Sequence, residues 1–466
     1  MSSGPKPGYS DHQFSMKEYI KVANIQTLEN VTRNKIQSDD LAIHDWYQFI
    51  LAYPPHLVKH YIDKFQISQR DIVFDPFCGT GTTPVEALKN GISSYGLEAN
   101  PIAAFACSVK THTGYKPEVL REYLGYIYCS LKASYTYYGM LEPQEDLFSY
   151  HTKLLTIKVR DVPDLPKEQK QLIPEGFISP KPLRKVLIIR EIIRRIESKA
   201  ARDLFLLALA KFIIKEAGNV RFGPEVGRTK PKADIESVHG FTTIAEKMIN
   251  DVEKTKLTGE AQIISGDARV LDKYMPNAQL GGINCVITSP PYPNEKDYTR
   301  STRLESVLLD FVRNKHELRK IKDNLLRSNS RNVFASDHDS EYISRFSSIT
   351  SIAEEIEKRR HALNKTSGFE KHYSKIVLHY FGGMYRHLKT LRPFLAKNCK
   401  LAYVVGDQMS FFRVPIRTAE LLGEIAESLG YRVDGIELWR TRAATATRMA
   451  LNENVLVPFP VTEFRV

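Results

Sequence analysis

The chain has few cysteines, and none are arranged to form a disulfide framework or to bind a metal. Only five occur in 466 residues, without a CxxC pair and without a histidine cluster around them. They are Cys78, Cys107, Cys129, Cys285 and Cys399. This scatter predicts neither a disulfide scaffold nor a metal site, and it favours a reducing, cytoplasmic compartment.

Long apolar runs are also missing. The first residues, MSSGPKPGYSDHQ, lack the apolar segment of a secretory signal, and the most apolar stretch, LFLLALAKFII from Leu204, is short and interrupted by Lys211. A membrane-spanning helix needs about 20 apolar residues. We therefore expect no signal peptide and no membrane span.

Positive charge, by contrast, is in excess. Lys and Arg number 66 against 54 Asp and Glu, which gives a formal net charge of +12 and a pI near 9.2. This balance favours a polyanionic partner such as nucleic acid. The length predicts two or three domains, or one large domain with insertions.

Strand-like and helical runs alternate at the start of the chain. IVFD (72–75) leads through a glycine turn into a helical pattern, and SYGLEAN (94–100) leads into another. Five further strand-like runs follow: AQIISGD (261–267), CVITS (285–289), KLAYVVGD (400–407), YRVDGIELW (431–439) and ENVLVPF (453–459). No long helix separates the last two runs, so the final strand is expected to be antiparallel. The predicted fold is α/β, a Rossmann-like seven-stranded, mostly parallel sheet with an antiparallel last strand and a large helical insertion.

The alternation stops over residues 112–257, where helical periodicity dominates. We therefore predict a split catalytic domain, 1–111 and 258–466, around a helical insertion that is a candidate DNA-recognition region. A second, basic insertion is expected at 293–372 within the catalytic domain.

A glycine turn, DPFCGTGTT, begins at Asp75. Gly79 and Gly81 permit a tight turn and close backbone approach, and Thr82 or Thr83 is suited to cap the next helix. The turn is neither a Walker loop nor a GxGxxG motif. A strand-turn-helix of this kind places a ligand at the carboxyl edge of the sheet.

Three successive strands end in acidic residues: Asp75, Glu98 and Asp267. A carboxylate in this position can accept hydrogen bonds from a ribose diol. Each could instead cap a helix or lie in a solvated turn. Their succession favours a ligand shaped like a nucleoside.

The fourth strand ends in TSPPY. Pro290 and Pro291 have no N–H and hold the loop extended, with carbonyl groups left as acceptors. The Ser289 hydroxyl and a proline carbonyl can together accept both hydrogens of one exocyclic amine, and Tyr292 offers a face on which a base can stack. The alternative is a proline-rich turn whose tyrosine packs into the core.

DPFCGTGTT followed by VITSPPY resembles the amino-methyltransferases that use S-adenosylmethionine, and SPPY resembles the subgroup that methylates N4 of cytosine in DNA. HDWYQFILAYPPHLVKHYI (44–62), HYFGGMYRHLKTLRPFL, LAYVVGDQ and NENVLVPF are similar to further segments of that family. Many SPPY enzymes carry the catalytic motif first. Here the cofactor motif comes first, which resembles the arrangement with a target-recognition region between the two.

The resemblance implies S-adenosylmethionine as cofactor and a direct in-line methyl transfer to N4 of a flipped cytosine, without a covalent nucleophile. The implied catalytic residues are Ser289, Pro290, Pro291 and Tyr292. The implied cofactor-binding residues are Tyr53, Pro54, Asp75, Pro76, Phe77, Gly79, Gly81, Thr82, Thr83, Glu98, Asn100, Asp267 and Ala268. Cys78, inside the cofactor turn, is interpreted as a packing residue.

Basic segments are candidates for contact with DNA. Between Lys181 and Lys232 there are 14 Lys and Arg against 5 Asp and Glu. The predicted phosphate contacts are Arg221, Arg228, Lys230, Lys232, Arg300 and Arg303. VRNKHELRKIKDNLLRSNSRN and RTRAATATRM are further basic segments. Any of them could instead be a solvated face.

The sequence thus predicts a site-specific methyltransferase for cytosine N4 in duplex DNA. We expect it to serve a restriction-modification or defence system, in which a cognate restriction endonuclease acts separately. The alternatives are methylation of adenine N6, methylation of RNA or protein, and a non-catalytic nucleic-acid-binding module with a relic cofactor site.

Overall fold

The structure, a computed structural model, describes seven stretches of the chain. They are residues 25–27, 41–47, 53–140, 163–222, 226–294, 296–443 and 450–460. The first residues, MSSGPKPGYSDHQ, and most of the basic segment RTRAATATRM lie outside the described residues. None of the helices in the described part is long and apolar enough to cross a membrane.

The strands form one large sheet and one small one. In chain order they are β1 (Ile25–Thr27), β2 (Ile72–Asp75), β3 (Ser93–Glu98), β4 (Val220–Arg221), β5 (Gly227–Arg228), β6 (Ala261–Ser265), β7 (Ile283–Thr288), β8 (Leu395–Gly406), β9 (Tyr431–Ala443) and β10 (Ala450–Pro460). The large sheet has the order β1-β9-β10-β8-β7-β2-β3-β6, and β4 pairs with β5. β10 is antiparallel to both of its neighbours, and the other pairs of the large sheet are parallel.

The helices connect these strands and form the insertions. They are α1 (Pro55–Lys64), α2 (Thr82–Lys89), α3 (Pro101–Lys110), α4 (Pro117–Tyr138), α5 (Lys167–Lys170), α6 (Pro180–Arg194), α7 (Lys199–Phe212), α8 (Ser237–Lys254), α9 (Tyr298–Ser301), α10 (Arg303–Leu308), α11 (Lys315–Asn324), α12 (Ser347–Ala362), α13 (Tyr373–Leu391) and α14 (Thr418–Ser428). A π-helical turn, Ile213–Ala217, continues α7.

The predicted fold class is confirmed. All seven expected strands are present, and β10 is antiparallel as predicted. The sequence did not reveal that β10 also pairs with β8, so that it lies between β8 and β9. β1 was not predicted, because a three-residue strand has too few positions to show alternation.

Buried strand residues alternate between the two faces of the sheet. On β7, Val286 belongs to a core shared with α13 and α14, whereas Ile287 belongs to a core shared with α1 and α2. Strands covered on both faces are expected to be almost continuously apolar. This accounts for the run CVI that precedes the catalytic loop.

The strand order reverses between β2 and β7. From β2 the chain continues outward to β3 and β6, whereas β7 and β8 lie on the opposite side. The parallel pairing of Val73 with Cys285 and of Phe74 with Val286 brings the two strand ends together. The glycine turn and TSPPY therefore meet at the topological switch point, where α/β sheets bind ligands.

The helical insertion is joined tightly to the catalytic part. Leu204 and Phe212 of α7 share a buried cluster with Val85 of α2 and Ile102 of α3. An ion pair reinforces this contact, because Lys211 Nζ lies 2.7 Å from Asp45 Oδ2 and both groups are buried.

Residues 43–47 are also held by side chains of α3 and α8. Lys110 Nζ donates to the carbonyl oxygens of His44 and Tyr47 at 3.0 and 2.6 Å. Burial lowers the pKa of Lys110 to about 7. The Trp46 indole donates to Asp251 of α8 at 2.9 Å.

Candidate active site

A cleft with about 940 Å³ of empty space, part of it open to solvent, lies at the carboxyl edge of the sheet. Most of the predicted site residues line it: Tyr53, Pro76, Phe77, Gly79, Thr82, Glu98, Asn100, Asp267, Ala268, Ser289, Pro290, Pro291 and Tyr292. The other four predicted residues, Pro54, Asp75, Gly81 and Thr83, are not part of this lining. The structure thus gathers motifs that are more than 200 residues apart in the chain.

The glycine turn has the backbone conformation that glycine favours. Gly79 has φ +52° and Gly81 has φ +95°, and a Cβ on Gly81 would lie 2.7 Å from Cys107 Sγ. A Cβ on Gly79 would meet no atom within 4 Å, so this glycine borders open space in the cleft. A bound ligand can therefore approach the backbone here closely.

The prediction that Thr82 or Thr83 caps the helix is wrong. Gly81 is the N-cap residue of α2, and no side chain caps this helix. Thr83 is fully buried, and its hydroxyl donates to the Ile287 carbonyl of β7 at 3.0 Å. Thr83 therefore ties the turn to the strand that carries the catalytic loop.

Asp75 lies behind the cleft wall. Its carboxylate accepts hydrogen bonds from the hydroxyl groups of Thr288 and Tyr53 at 2.5 and 2.8 Å, and from the Phe77 N–H at 3.0 Å. Burial raises the pKa of Asp75 to about 6, and these hydrogen bonds act in the opposite direction. Asp75 therefore joins the glycine turn to the end of β7.

Glu98 stands in the cleft wall. Its Oε2 accepts the Gly79 N–H at 2.9 Å, and its Oε1 accepts the Asn100 N–H at 2.7 Å. Burial raises the pKa of Glu98 to about 7, and the nearby Asp75 carboxylate raises it further. The Ala99 backbone also hydrogen-bonds to Glu98, and the carboxylate retains acceptor capacity for a ligand hydroxyl.

Asp267 is held by an arginine that sequence reasoning missed. Arg269 Nη2 lies 2.8 Å from Asp267 Oδ2, and Arg269 Nη1 lies 2.6 Å from Asp339 Oδ2. Arg386 pairs with the other oxygen of Asp339 at 2.5 Å. This buried network connects β6 with the second insertion and with α13. The only local signal was an arginine two residues after an acidic strand end.

The catalytic loop is oriented by β8. The Ser289 hydroxyl donates to the Val404 carbonyl at 3.0 Å. The Tyr292 ring lies against Gly406, where an added Cβ would be 2.9 Å from Tyr292 Cε2. Burial raises the pKa of Tyr292, and the Glu453 carboxylate raises it further. Tyr292 is partly buried and lines the cleft.

The second insertion covers part of the cleft. Tyr298 of α9, and Asn324, Leu325 and Leu326 at the end of α11, contribute to the lining. The sequence predicted only a basic segment here. Residues that enter a site from a distant, charged insertion carry no local motif, so periodicity and spacing could not identify them.

The predicted DNA contacts in the helical insertion differ in exposure. Arg221, Arg228 and Lys230 are exposed. Lys232 instead donates through Nζ to the carbonyl oxygens of Glu216 and Gly218 at 2.5 and 2.9 Å. Its ammonium group is therefore engaged within the protein.

Part of the positive excess between residues 181 and 232 is internal. Lys185, Arg190 and Lys211 are at least nine-tenths buried, and each binds carbonyl or carboxylate oxygens. Counting charges along the sequence therefore overestimates the basic surface of this insertion.

The residues that line the cleft fit the nucleoside part of S-adenosylmethionine. Glu98 offers a carboxylate, Phe77, Leu97 and Leu326 offer apolar surface, and Gly79 leaves the backbone open. Ribose hydroxyls need acceptors and a purine needs an apolar slot, so the residues present fit this group.

Known proteins with similar sequences support this interpretation. Residues 10–104 match the model of a family described as DNA methylase. The chain is 23% identical to Type II methyltransferase M.BsoBI of Geobacillus stearothermophilus, over 95% of this chain and 90% of that protein. It is 21% identical to Type II methyltransferase M.AvaI of Nostoc sp., over 84% of this chain and 79% of that protein. No solved structure gives a significant match.

The fold and the cleft define an α/β protein with a cleft at the switch point of its sheet, lined by most of the predicted site residues. The sequence similarities support an S-adenosylmethionine-dependent DNA methyltransferase of the N4/N6 class.

Proposed function

We propose that this protein transfers a methyl group from S-adenosylmethionine to N4 of a flipped cytosine in duplex DNA. The observation that carries the proposal is the hydrogen bond from Ser289 to the Val404 carbonyl at 3.0 Å. A hydroxyl has one hydrogen and two lone pairs. While the hydrogen is donated to Val404, Ser289 Oγ can act towards a substrate only as an acceptor, and the same hydroxyl is also hydrogen-bonded to the Tyr292 side chain.

An exocyclic amine matches that acceptor. Its two hydrogens would be accepted by Ser289 Oγ and the Pro290 carbonyl, both of which belong to residues in the cleft lining. Accepting both hydrogens localises the nitrogen lone pair and directs it towards the methyl donor. Both cytosine and adenine have such an amine, and the choice of cytosine N4 rests on the resemblance of SPPY to the subgroup that methylates this position.

Tyr292 would bind the flipped base by stacking. Its partly buried ring lines the cleft directly after the two prolines and is held against Gly406. Enzymes that modify a base take it out of the helix and stack it against aromatic or apolar side chains. A ring fixed by β8 would position the amine without a large loss of side-chain entropy.

The cofactor side of the cleft would hold the methyl donor, which supplies an electrophilic methyl group when bound. Glu98 would accept hydrogen bonds from the ribose hydroxyls, and Phe77 would contact the adenine of the cofactor. Asp267 and Ala268 would border the adenine, and the backbone at Gly79 would allow close approach.

The similarity to enzymes named Type II methyltransferases supports a role beside a restriction endonuclease. In such a system the methyltransferase would modify one sequence context in the host DNA. Sequencing of modified bases in an expressing host would then reveal a single motif. Methylation spread over unrelated sequences would contradict this role.

Mass spectrometry of nucleosides tests the chemical assignment. DNA from a methylation-deficient host that expresses the protein should contain N4-methylcytosine, and DNA from a host that expresses Ser289→Ala should contain far less. N6-methyladenine without N4-methylcytosine would overturn the choice of base. Transfer of labelled methyl groups to RNA or protein alone would overturn the DNA assignment.

A further inference from the structure

Two basic side chains lie close to Asp297, five residues after Tyr292. Lys322 Nζ of α11 lies 3.5 Å from Asp297 Oδ2, and Arg303, at the start of α10, donates to the same Thr299 hydroxyl that donates to Asp297. Arg331, whose guanidinium lies 5.3 Å from the centre of the Phe369 ring, adds positive charge near Lys322. We call Arg303, Lys322 and Arg331 the cationic cradle.

The carboxylate at the centre of the cradle is already occupied. Asp297 caps α9, where its Oδ1 accepts the Thr299 N–H at 3.0 Å, the Thr299 hydroxyl at 2.7 Å and the Arg300 N–H at 3.2 Å. Its negative charge raises the pKa of Arg303, against the lowering by burial and by the neighbouring Arg300. Asp297 therefore cannot neutralise the whole cradle.

Arg303 and Lys322 lie in partly buried positions. Arg303 donates to the carbonyl and the hydroxyl of Thr299, both at 3.1 Å, and these oxygens are neutral. Burial lowers the pKa of Arg303 and the pKa of Lys322, and a neighbouring cation lowers each further. Holding like charges together out of water is unfavourable unless an anion is bound.

The helices that carry the cradle reach the cleft. Tyr298 of α9 and Asn324 of α11 line the cleft, and the Tyr298 hydroxyl is hydrogen-bonded to the backbone of Tyr292. Asp297 directly precedes Tyr298, and Lys322 belongs to the same helix as Asn324. An anion in the cradle would therefore be bound by elements that also line the cleft near Tyr292.

The elements that carry the cradle are firmly supported. Arg327, just beyond α11, forms a bidentate pair with Asp337, with a shortest distance of 2.6 Å. The Asn329 amide donates to the Lys296 carbonyl at 3.0 Å. A site fixed in this way loses little entropy when it binds its ligand.

We propose that the cationic cradle binds a phosphodiester group of the DNA strand that contains the flipped nucleotide. The inference rests on the proposed function, because it takes duplex DNA as the substrate. A phosphodiester has one negative charge and acceptor oxygens that suit Arg and Lys donors. The cradle would anchor the backbone on one side of the base while Tyr292 holds the base itself.

The test removes charge either from the DNA or from the protein. Binding is measured by fluorescence anisotropy, with a duplex that contains the site found by sequencing of modified bases. Single phosphates around the target base are replaced one at a time by uncharged methylphosphonates. The variants are Lys322→Gln and the more exposed Arg331→Gln. Lys320→Gln is the matched control, because Lys320 is an exposed lysine on the same helix.

We expect wild type and Lys320→Gln to lose about tenfold in affinity at one particular phosphate, which is the order expected for a charge-assisted hydrogen bond. Lys322→Gln and Arg331→Gln should bind more weakly and lose less than about twofold at that phosphate. In a salt series with duplex of mixed sequence, the slope of log Kd against log salt should fall by about 1 for Lys322→Gln and stay unchanged for Lys320→Gln.

The cradle is refuted if Lys322→Gln and Arg331→Gln remain as sensitive to every methylphosphonate as wild type. Cofactor affinity and the thermal unfolding temperature of each variant identify loss of folding, and the exposed Arg331 keeps the test valid if Lys322→Gln is unstable. If DNA from the expressing host contains no methylated base, the proposed function is refuted, and the salt series still tests whether the cradle binds DNA. Absence of all DNA binding would defeat both.

Discussion

The Ser289 hydroxyl donates to the carbonyl oxygen of Val404, 3.0 Å away on the neighbouring strand β8. The catalytic loop is thus oriented by a strand that takes no part in the motif. The Asp75 carboxylate fixes the other side of the same loop by accepting the Thr288 hydroxyl at 2.5 Å.

Ser289→Ala should lower kcat by about a hundredfold, since removal of one preorganised polar contact to a reacting group costs about 3 kcal/mol of transition-state stabilisation. Cofactor affinity, measured by calorimetry, should stay within about twofold of wild type. The Ser289 hydroxyl contacts the substrate amine in this proposal, and its loss leaves the cofactor-binding residues intact. A large loss of cofactor affinity would mean that the loop has been misplaced.

Tyr292→Phe and Tyr292→Ala separate the ring from its hydroxyl. If the ring holds the flipped base, the phenylalanine variant should keep most of the activity, and the alanine variant should lose it by removing about 1–3 kcal/mol of stacking. Single-turnover rates on duplex DNA measure this difference. Equal losses in the two variants would assign the role to the hydroxyl.

Cofactor affinity should depend on pH through Glu98. Burial raises its pKa to about 7, so the carboxyl becomes protonated as the pH falls through that value. A ribose diol needs the ionised form, so Kd should be constant above neutral pH and rise by up to about tenfold per pH unit well below it.

Glu98→Gln is the control for this pH profile. It should bind the cofactor weakly at all pH values and lose the dependence near pH 7. Asp75, whose pKa is raised to about 6 by burial, would remain as a separate step in this variant. An unchanged profile in Glu98→Gln would assign the titration to another group.

Arg269 and Asp339 should be strongly coupled in stability. Arg269→Met leaves the buried carboxylates of Asp267 and Asp339 without their shared partner, and loss of one partner of a buried pair costs about 3–5 kcal/mol. The double variant Arg269→Met/Asp339→Asn should be destabilised by less than the sum of the single changes. Denaturant unfolding of the four proteins measures the coupling, and strict additivity would contradict it.

Prediction from sequence succeeded where the chemistry is local. The runs that became β2 and β7 and the turns that follow them occupy consecutive residues, so their spacing already indicated a cleft at the sheet edge. The same reasoning placed Asp75 in the cofactor site, but its three hydrogen bonds turn it into the interior. Nothing in a one-dimensional pattern distinguishes a carboxylate that faces a ligand from one that faces Tyr53.

Prediction failed where distant segments meet. Arg269 acquires its significance from Asp339, 70 residues later, and Lys232 is held by carbonyl groups at the end of a π-helical turn. Leu326 lines the cleft, although the charged composition of its segment predicts an exposed position. These contacts are set by tertiary packing, which leaves no periodicity in the sequence.

The buried pair of Lys211 and Asp45 has a mechanical consequence. To swing the helical insertion away from the sheet, the molecule would have to separate this pair and open the apolar cluster shared by α7, α2 and α3. Breaking a buried ion pair alone costs several kcal/mol. A ligand that spans the insertion and the cleft therefore meets a surface of fixed shape. The deformation needed for a nucleotide to enter the cleft would fall on the nucleic acid rather than on the protein.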